Sequence, residues 1–313
     1  MKIYPSYYSE FKCIADKCKH SCCIGWEIGI DSDTLAYYKT LDGKIGKKLC
    51  ECIKEDDDGA EFVLSDNERC PFLCENGLCE LILTLGEDSL CTICTEHPRF
   101  HNFIGQREEI GIGMVCEEAA RIIIENKDLV TLAENDGDNS LTEFEDQLLG
   151  MRNKAFGIIL DRSYTLKKRI ELLISTFDLY LSDRSIGEWA HELSYLERLD
   201  KNWDVLLDKL GDIEDEEYLP DGFDIELEQI LHYFVYRHLI SAEDEYDAKE
   251  RLAFAVLSLR IIGAIFSKCI EEKDCLSETL IEISRMYSGE IEYSEENTES
   301  LLEYLSEYRY EIN

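Results

Sequence analysis

The sequence predicts an α+β N-terminal cysteine-rich metal-binding domain followed by a mainly α-helical C-terminal domain. Three observations carry that expectation. Twelve of the fourteen cysteines lie between Cys13 and Cys116. That same stretch alternates short strand-like pieces with turn formers, whereas beyond it apolar residues recur at spacings of three and four, the period of an amphipathic helix. Between them ENDGDNS, Glu134 to Ser140, is rich in turn formers and reads as a linker. The division is therefore a cysteine-rich metal- or iron-sulfur-binding domain over 1–130 and a helical domain over 140–313.

Taken in order, DSDTLAYYKTLDGKIGKKLCECI reads as one helix with Ser32 or Asp33 as its N-cap, and EDDDG ends it. AEFVLS is a strand, CENGLC carries an Asn-Gly turn, and RFHNFIGQREEIGIGMV is a hairpin turning near Gly105 and Gln106. CEEAARIIIENK starts a helix whose first turn holds Glu117 and Glu118, where the helix dipole favours negative charge. The second half carries five helical patterns: TLKKRIELLISTFDLYL, SIGEWAHELSYLERLDKNWDVLLDKL, DIELEQILHYFVYRHLI, AKERLAFAVLSLRIIGAIFSKCI and SEENTESLLEYLSEY. There are four prolines, the last at Pro220, so these helices run uninterrupted. No repeat of solenoid period is present.

With 313 residues, 45% of them hydrophobic, the chain can fill a core without cross-links. Its cysteines therefore point to chemistry rather than to stapling. The start, MKIYPSYYSEFK, shows no apolar signal region, which predicts a cytoplasmic location where thiols stay reduced. The one stretch of membrane-spanning length, Leu252 to Ile270, contains Arg260 and is read as a buried core helix, so no membrane partner is expected. Acidic residues outnumber basic ones 68 to 32, a formal net charge of -36. That field repels nucleic acid and favours cationic partners, or else serves solubility alone.

The thiols are spaced C-x4-C-x3-C-C from Cys13 to Cys23, C-x3-C-x4-C from Cys70 to Cys79, C-x2-C at Cys91 and Cys94, and then Cys116. Neighbouring thiolates repel one another unless a cation neutralises them, so a dense reduced set implies Zn²⁺ or an iron-sulfur cluster. Only Cys91 and Cys94 make the paired knuckle usual for zinc, and the wider spacings suit a cluster wrapped by loops. Competing readings are a redox pair at Cys91 and Cys94, a vicinal disulfide at Cys22 and Cys23, a packing thiol plus a spare at Cys50 and Cys52, and ordinary buried thiols at Cys269 and Cys275. His97 and His101 flank Pro98-Arg99 near the thiols as metal-associated or structural groups, while His191, His232 and His238 lack the spacing of a helical zinc pair. No Walker A, GxGxxG, GxSxG or radical-enzyme C-x3-C-x2-C pattern occurs.

Three stretches carry a family resemblance: FKCIADKCKHSCCIGWEIGID (Phe11 to Asp31), CPFLCENGLCELILTLGEDSLCTICTEHPRF (Cys70 to Phe100) and CEEAARIII (Cys116 to Ile124). Together they resemble the bacterial flagellin lysine-N-methylase family, akin to a wider group of cysteine-cluster proteins proposed to chelate zinc or iron. The helical remainder matches that family only in general character. The resemblance implies methyl transfer from S-adenosylmethionine to lysine ε-amines of flagellin, with a cysteine-bound four-iron four-sulfur (4Fe-4S) cluster as participant, Zn²⁺ being the alternative. The family pattern matches at Cys13, Cys18, Cys22, Cys23, Cys70, Cys79, Cys94 and Cys116, and Cys74 and Cys91 look like local additions. Eight thiols exceed the four that one cluster needs, leaving either a second metal or bystanders.

Methylation has its own demands. A lysine ammonium, of ordinary pKa about 10.4, must lose its proton before attacking a sulfonium methyl. Tyr4, Tyr7 and Tyr8 are candidates for lining a cation slot, or for packing. No general base and no S-adenosylmethionine site is assigned from sequence. Two other readings stand beside the methyltransferase: a non-catalytic zinc- or iron-binding adaptor or chaperone module, and a thiol redox protein using Cys91 and Cys94.

Overall fold

The segment KIYP buries Ile3 and Pro5 and exposes Lys2, the alternation of a strand, and it finds its partners far along the chain. In the computed structural model Lys2–Pro5 runs parallel to Arg107–Ile112, with Ile3 opposite Glu109, and antiparallel to Leu132–Glu134. Arg99–Ile104 completes a four-stranded sheet on the other side of Arg107–Ile112, so the expected hairpin forms. Gly105 turns it at φ +54°, where a Cβ would also run into the Ser140 carbonyl, so only glycine fits. The structure describes residues 1–57, 59–135, 137, 140–215, 219–270 and 276–311. Cys275, and Asp136, Asp138 and Asn139 of the expected linker, lie outside them.

The molecule divides into two units: Met1–Phe11 with His101–Val115 and Ala119–Asn313, and Lys12–Phe100 with Cys116–Glu118. The first is mixed, the four-stranded sheet with a helical C-terminal region. The part of Glu245–Ile270 from Leu252 to Phe266 is apolar nearly all round because it is enclosed: every one of those residues is buried. Arg260 is only 9% exposed there, which agrees with a core helix. Asp224–His238 packs beside it, and Tyr236 ties that helix to the sheet by donating to the carbonyls of Ile3 (3.3 Å) and Ile110 (3.2 Å).

Side-chain caps start three helices of this unit, at Thr142, Thr165 and Ser185. Thr142 opens Glu143–Ile159 and Ser185 opens Ile186–Ser194, each as a capping box with the glutamate three residues on. Glu143–Ile159 was not among the sequence-derived helices, nor was Leu276–Tyr287. The single helix expected over SIGEWAHELSYLERLDKNWDVLLDKL is two, Ile186–Ser194 and Asn202–Asp208. Between them the Leu199 and Asp200 N–H groups donate to the Glu290 carboxylate, so the backbone leaves the helical path.

The second unit holds a three-stranded antiparallel sheet in the order Gly29–Ile30, Gly59–Phe62, Ile53–Asp56. Its core joins Ile28, Tyr38, Leu49, Phe62, Phe72 and Leu81. The helix expected from Ser32 to the end of LCECI is also two, Ser32–Tyr38 and Gly43–Cys52, because Asp42-Gly43 breaks it, Gly43 taking φ +79°. The N-cap is Asp31 rather than Ser32 or Asp33: its carboxylate accepts from the Thr34 N–H at 2.9 Å. The AEFVLS strand is confined to Gly59–Phe62.

Candidate functional site

Thiols enter the second unit by two routes. Cys70 and Cys91 are buried in its core, 6% and 1% exposed, and Cys23, Cys79 and Cys94 pack against the same residues. Local structure explains the gathering. The Cys70 N–H donates to the Cys23 carbonyl at 2.8 Å, Cys79 bridges back to Leu73, and the Arg69 guanidinium donates to the carbonyls of Leu73 (3.1 Å) and Cys74 (2.6 Å). In the Glu75-Asn76-Gly77 turn Gly77 has φ +79°, and a Cβ there would lie 3.3 Å from the Asp16 Cα.

Cys91 and Cys94 lie on one helical turn, Cys91 capping Thr92–Glu96, with their sulfurs 3.5 Å apart. Asp31 fixes that turn. Besides capping its own helix, its carboxylate accepts from the Thr92 N–H (2.8 Å) and hydroxyl (3.0 Å), and these bonds, first that from Thr92, hold it well below the usual carboxylate range. Neither Asp31 nor Arg69 announces this role in the sequence, since both act through the backbone of segments far away or of a loop with no motif.

The remaining expected thiols lie outside that packed group. Cys13 and Cys22 are exposed, and Cys18 and Cys116 partly so. Cys18 directs its thiol at Glu117, 3.7 Å from the carboxylate, and the Lys19 N–H donates to the same oxygen at 2.8 Å. Cys22 and Cys23 are neighbours in hydrogen-bond contact rather than a vicinal disulfide, and no disulfide joins any two of the described cysteines.

Charge explains what these sulfurs do without a cation. Burial pushes Cys70 up to about 12 and raises Cys79. Burial, then Glu117 and Cys116 nearby, pushes Cys18 up to about 11. Two thiols are favoured as thiolates by a hydrogen bond from a neighbour: Cys23, held near 7 by Cys22 with help from Ser21 and Arg69, and Cys91, lowered by Cys94. Cys18, Cys70 and Cys79 are thus favoured as neutral thiols, as expected of buried sulfurs lacking a counter-charge. The donor chemistry suits a thiophilic metal. Among the described residues, however, no three Cys, His, Asp or Glu side chains converge where they could hold one ion.

The other sequence candidates sort as follows. Cys52 packs against the core and Cys50 is exposed, the expected packing thiol and spare, and Cys269 is buried. His97 lies tilted against Trp26, ring centres 5.4 Å apart, and burial holds it down to about 4. His101 is taken by Glu108, Nδ1 to Oε1 2.9 Å. Tyr4 and Tyr8 adjoin, 5.5 Å between ring centres, but Tyr7 is only 3% exposed and packs rather than lining a slot.

The first unit concentrates titratable groups of its own. Glu292, at the end of the π-helical turn Ser288–Glu292, accepts from the Tyr233 hydroxyl (3.1 Å), pairs with His238 Nε2 (2.7 Å) and faces Arg237 Nε (3.2 Å). With its oxygens so occupied and its side chain fully enclosed, this carboxylate positions its neighbours and is no free proton acceptor. His232 is the opposite case: 1% exposed, stacked 4.1 Å from Phe156, with no hydrogen-bond partner for either ring nitrogen among the described residues.

Residues 107–312 match the family described as FliB lysine N-methylase C-terminal domain. The chain is 27% identical over 136 residues to the lysine-N-methylase of Salmonella typhimurium, covering 42% of this chain and 34% of that protein. It is 29% identical over 136 residues to the flagellar biosynthetic protein FliU of Salmonella muenchen, covering 42% of this chain and 80% of that one. The match thus spans about a third of the length of the curated lysine-N-methylases. No solved structure matches the chain. The match over 107–312 covers most of the sequence, and the chain belongs to the FliB lysine N-methylase C-terminal domain family.

Proposed function

We propose that this chain acts in protein-lysine N-methylation in the cytoplasm, transferring methyl groups from S-adenosylmethionine to lysine ε-amines of flagellin. The observation that carries the reading is the family match over 107–312. The names of its relatives, lysine-N-methylase and a flagellar biosynthetic protein, support lysine as the target and the flagellum as its setting.

Alongside it we assign the thiols of the second unit to a metal centre, a 4Fe-4S cluster or Zn²⁺, drawn from Cys13, Cys18, Cys22, Cys23, Cys70, Cys79, Cys94 and Cys116, with Cys91 added by its place beside Cys94. Bound there, such a centre supplies Lewis acidity or electrons. The chain's own residues supply the rest. Its net charge of -36 draws a lysine-bearing partner toward it. Arg69 and Asp31 hold the thiol-bearing loops by their backbones. The ammonium must still be deprotonated, and Glu292, occupied by its own partners, is not its proton acceptor.

The test is incubation of anaerobically purified protein with S-adenosylmethionine and flagellin, reading methyl additions on lysine by mass spectrometry. Time-dependent methylation is expected. Flagellin bound without any methylation would instead favour the non-catalytic adaptor.

A further inference from the structure

Glu292 and His238 form a carboxylate-imidazole pair with one ring nitrogen left over. The His238 Nε2–H donates to Glu292 Oε1 at 2.7 Å. A carboxylate at that distance fixes the proton of a neutral imidazole on the nitrogen it faces, so the lone pair lies on Nδ1. Among the described residues Nδ1 has no hydrogen-bond partner. Glu292 is held in turn: the Tyr233 hydroxyl donates to it at 3.1 Å, Arg237 Nε lies 3.2 Å away, and that hydroxyl accepts from Arg237 (2.7 Å) and from the Met114 N–H (3.2 Å). Burial works against its charge, but Arg237 and His238 outweigh burial and keep the carboxylate ionised. Phe254 meets the imidazole edge to face at 5.0 Å and Phe234 lies parallel to it at 6.1 Å, which fixes the plane of the ring. His232 differs in being sealed at both nitrogens. The His238 side chain keeps 11% of its surface open, and Tyr293, against whose ring Arg237 lies at 4.8 Å, is 37% exposed, so this cluster reaches solvent.

We infer that His238 is the general base of the methyl transfer proposed above, its Nδ1 taking the proton of the incoming lysine ammonium, with Glu292 as the residue that positions it. This rests on the methyltransferase reading and supplies its proton acceptor. The ammonium N–H bond breaks and the proton passes to Nδ1, leaving a neutral amine and an imidazolium beside Glu292. The amine lone pair then forms the bond to the sulfonium methyl of S-adenosylmethionine, while the carbon-sulfur bond breaks and the thioether leaves with that electron pair. The imidazolium returns its proton to water. Around the pair stand Tyr233 and Arg237 of the same helix, Tyr293 after the turn, and Arg251 of Glu245–Ile270, itself paired with Asp247 at 2.7 Å. Burial first, with Arg237 and Arg251 acting against Glu292, holds His238 below its ordinary value, so the ring is neutral and able to accept a proton at neutral pH. The same two guanidinium groups disfavour a further positive charge, which eases loss of the ammonium proton.

The test uses the full chain, purified without oxygen, with S-adenosylmethionine and flagellin, and reads kcat/KM for methyl addition by mass spectrometry from about pH 5 to about pH 9. Far-UV circular dichroism at each pH confirms that the helices are retained. In the unchanged protein kcat/KM should fall about tenfold per pH unit below a midpoint under about 6.5, the ordinary histidine value. His238→Gln, which keeps a donor toward Glu292, should lower kcat about 100-fold or more and abolish that acid limb. His238→Ala should regain rate on addition of imidazole. Glu292→Gln should keep the limb and move it about one pH unit or more lower, because the imidazolium loses its counter-charge. A flat profile in the unchanged protein would overturn the assignment without recourse to any variant. So would a folded His238→Gln protein within about threefold of the unchanged rate, or a slower one that keeps the same acid limb. No methylation by the unchanged protein at any pH would instead defeat the methyltransferase reading itself.

Discussion

Acidification should destabilise the helical unit through His232, and the amount can be worked out. The imidazole is fully enclosed between Phe156 and the neighbourhood of Arg152, and burial, reinforced by that guanidinium, lowers it from its ordinary value to about 3. A group depressed on folding contributes stability that is complete above its unfolded value, about 6.5, and is lost as pH falls toward the folded one. Between about pH 7.5 and about pH 5 the unfolded histidine takes up its proton while the folded one does not, a loss of about 2 kcal/mol, rising to about 4 kcal/mol by pH 3. His97, held near 4 by burial, acts in the same direction, so the difference between proteins must be read rather than the total. Urea unfolding of the unchanged protein and of His232→Phe, each at both pH values, isolates it. The variant should lose about 2 kcal/mol less on acidification, whatever its absolute stability. Equal losses would show that His232 is protonated in the folded protein, and the burial argument would fail.

Three further outcomes follow from particular contacts. Arg152 and Glu109 are a hydrogen-bonded ion pair, 1% and 0% exposed, so Arg152→Ala should cost about 3 to 5 kcal/mol in chemical denaturation by removing that hydrogen bond and leaving the buried carboxylate, among the described residues, only Arg107, 3.6 Å away. A loss below about 1 kcal/mol would mean that the pair is solvated. Asp31→Ala removes the cap of Ser32–Tyr38 and the anchor of Thr92 together, and should cost about 1 to 2 kcal/mol and speed hydrogen exchange at the Thr34 and Thr92 amides; unchanged exchange at Thr92 would break the assigned link. Gly77→Ala imposes a side chain at φ +79° beside Asp16 and should cost about 1 to 2 kcal/mol by thermal or urea unfolding, whereas a neutral effect would contradict the left-handed turn.

What could be read from the sequence was what local pattern encodes. The Gly105 hairpin and the enclosed Glu245–Ile270 helix carry their signals in consecutive residues. Lys2–Pro5 was missed because four residues hold no strand signal of their own, and its partner Glu108 lies a hundred residues away. Glu143–Ile159 carries Gly150, Gly157 and many polar residues, which blur its period although Thr142 and Glu145 mark its start. The apolar period runs on through Asp42-Gly43 and Leu199-Asp200, where a turn former or a distant carboxylate takes the backbone away from the helix. In the candidate site the density of thiols was plain, but their sorting was not. By the family pattern Cys91 looks like a local addition, whereas packing puts it in the core, 3.5 Å from Cys94. Arg69 and Asp31 contribute through backbone contacts that leave no motif.

The methyl transfer proposed above, and the part given in it to the gathered thiols, stand or fall on one reaction. The most direct measurement is the rate of methyl transfer from S-adenosylmethionine to flagellin, without oxygen, by the unchanged protein and by Cys79→Ser, with helix content and bound metal read on the same samples. The account predicts methylated lysines with the unchanged protein and loss of both metal and methylation in a Cys79→Ser protein that is still folded. Methylation at the unchanged rate by the metal-depleted variant would contradict the role given to the thiols, and no methylation by a metal-loaded unchanged protein would contradict the assigned activity.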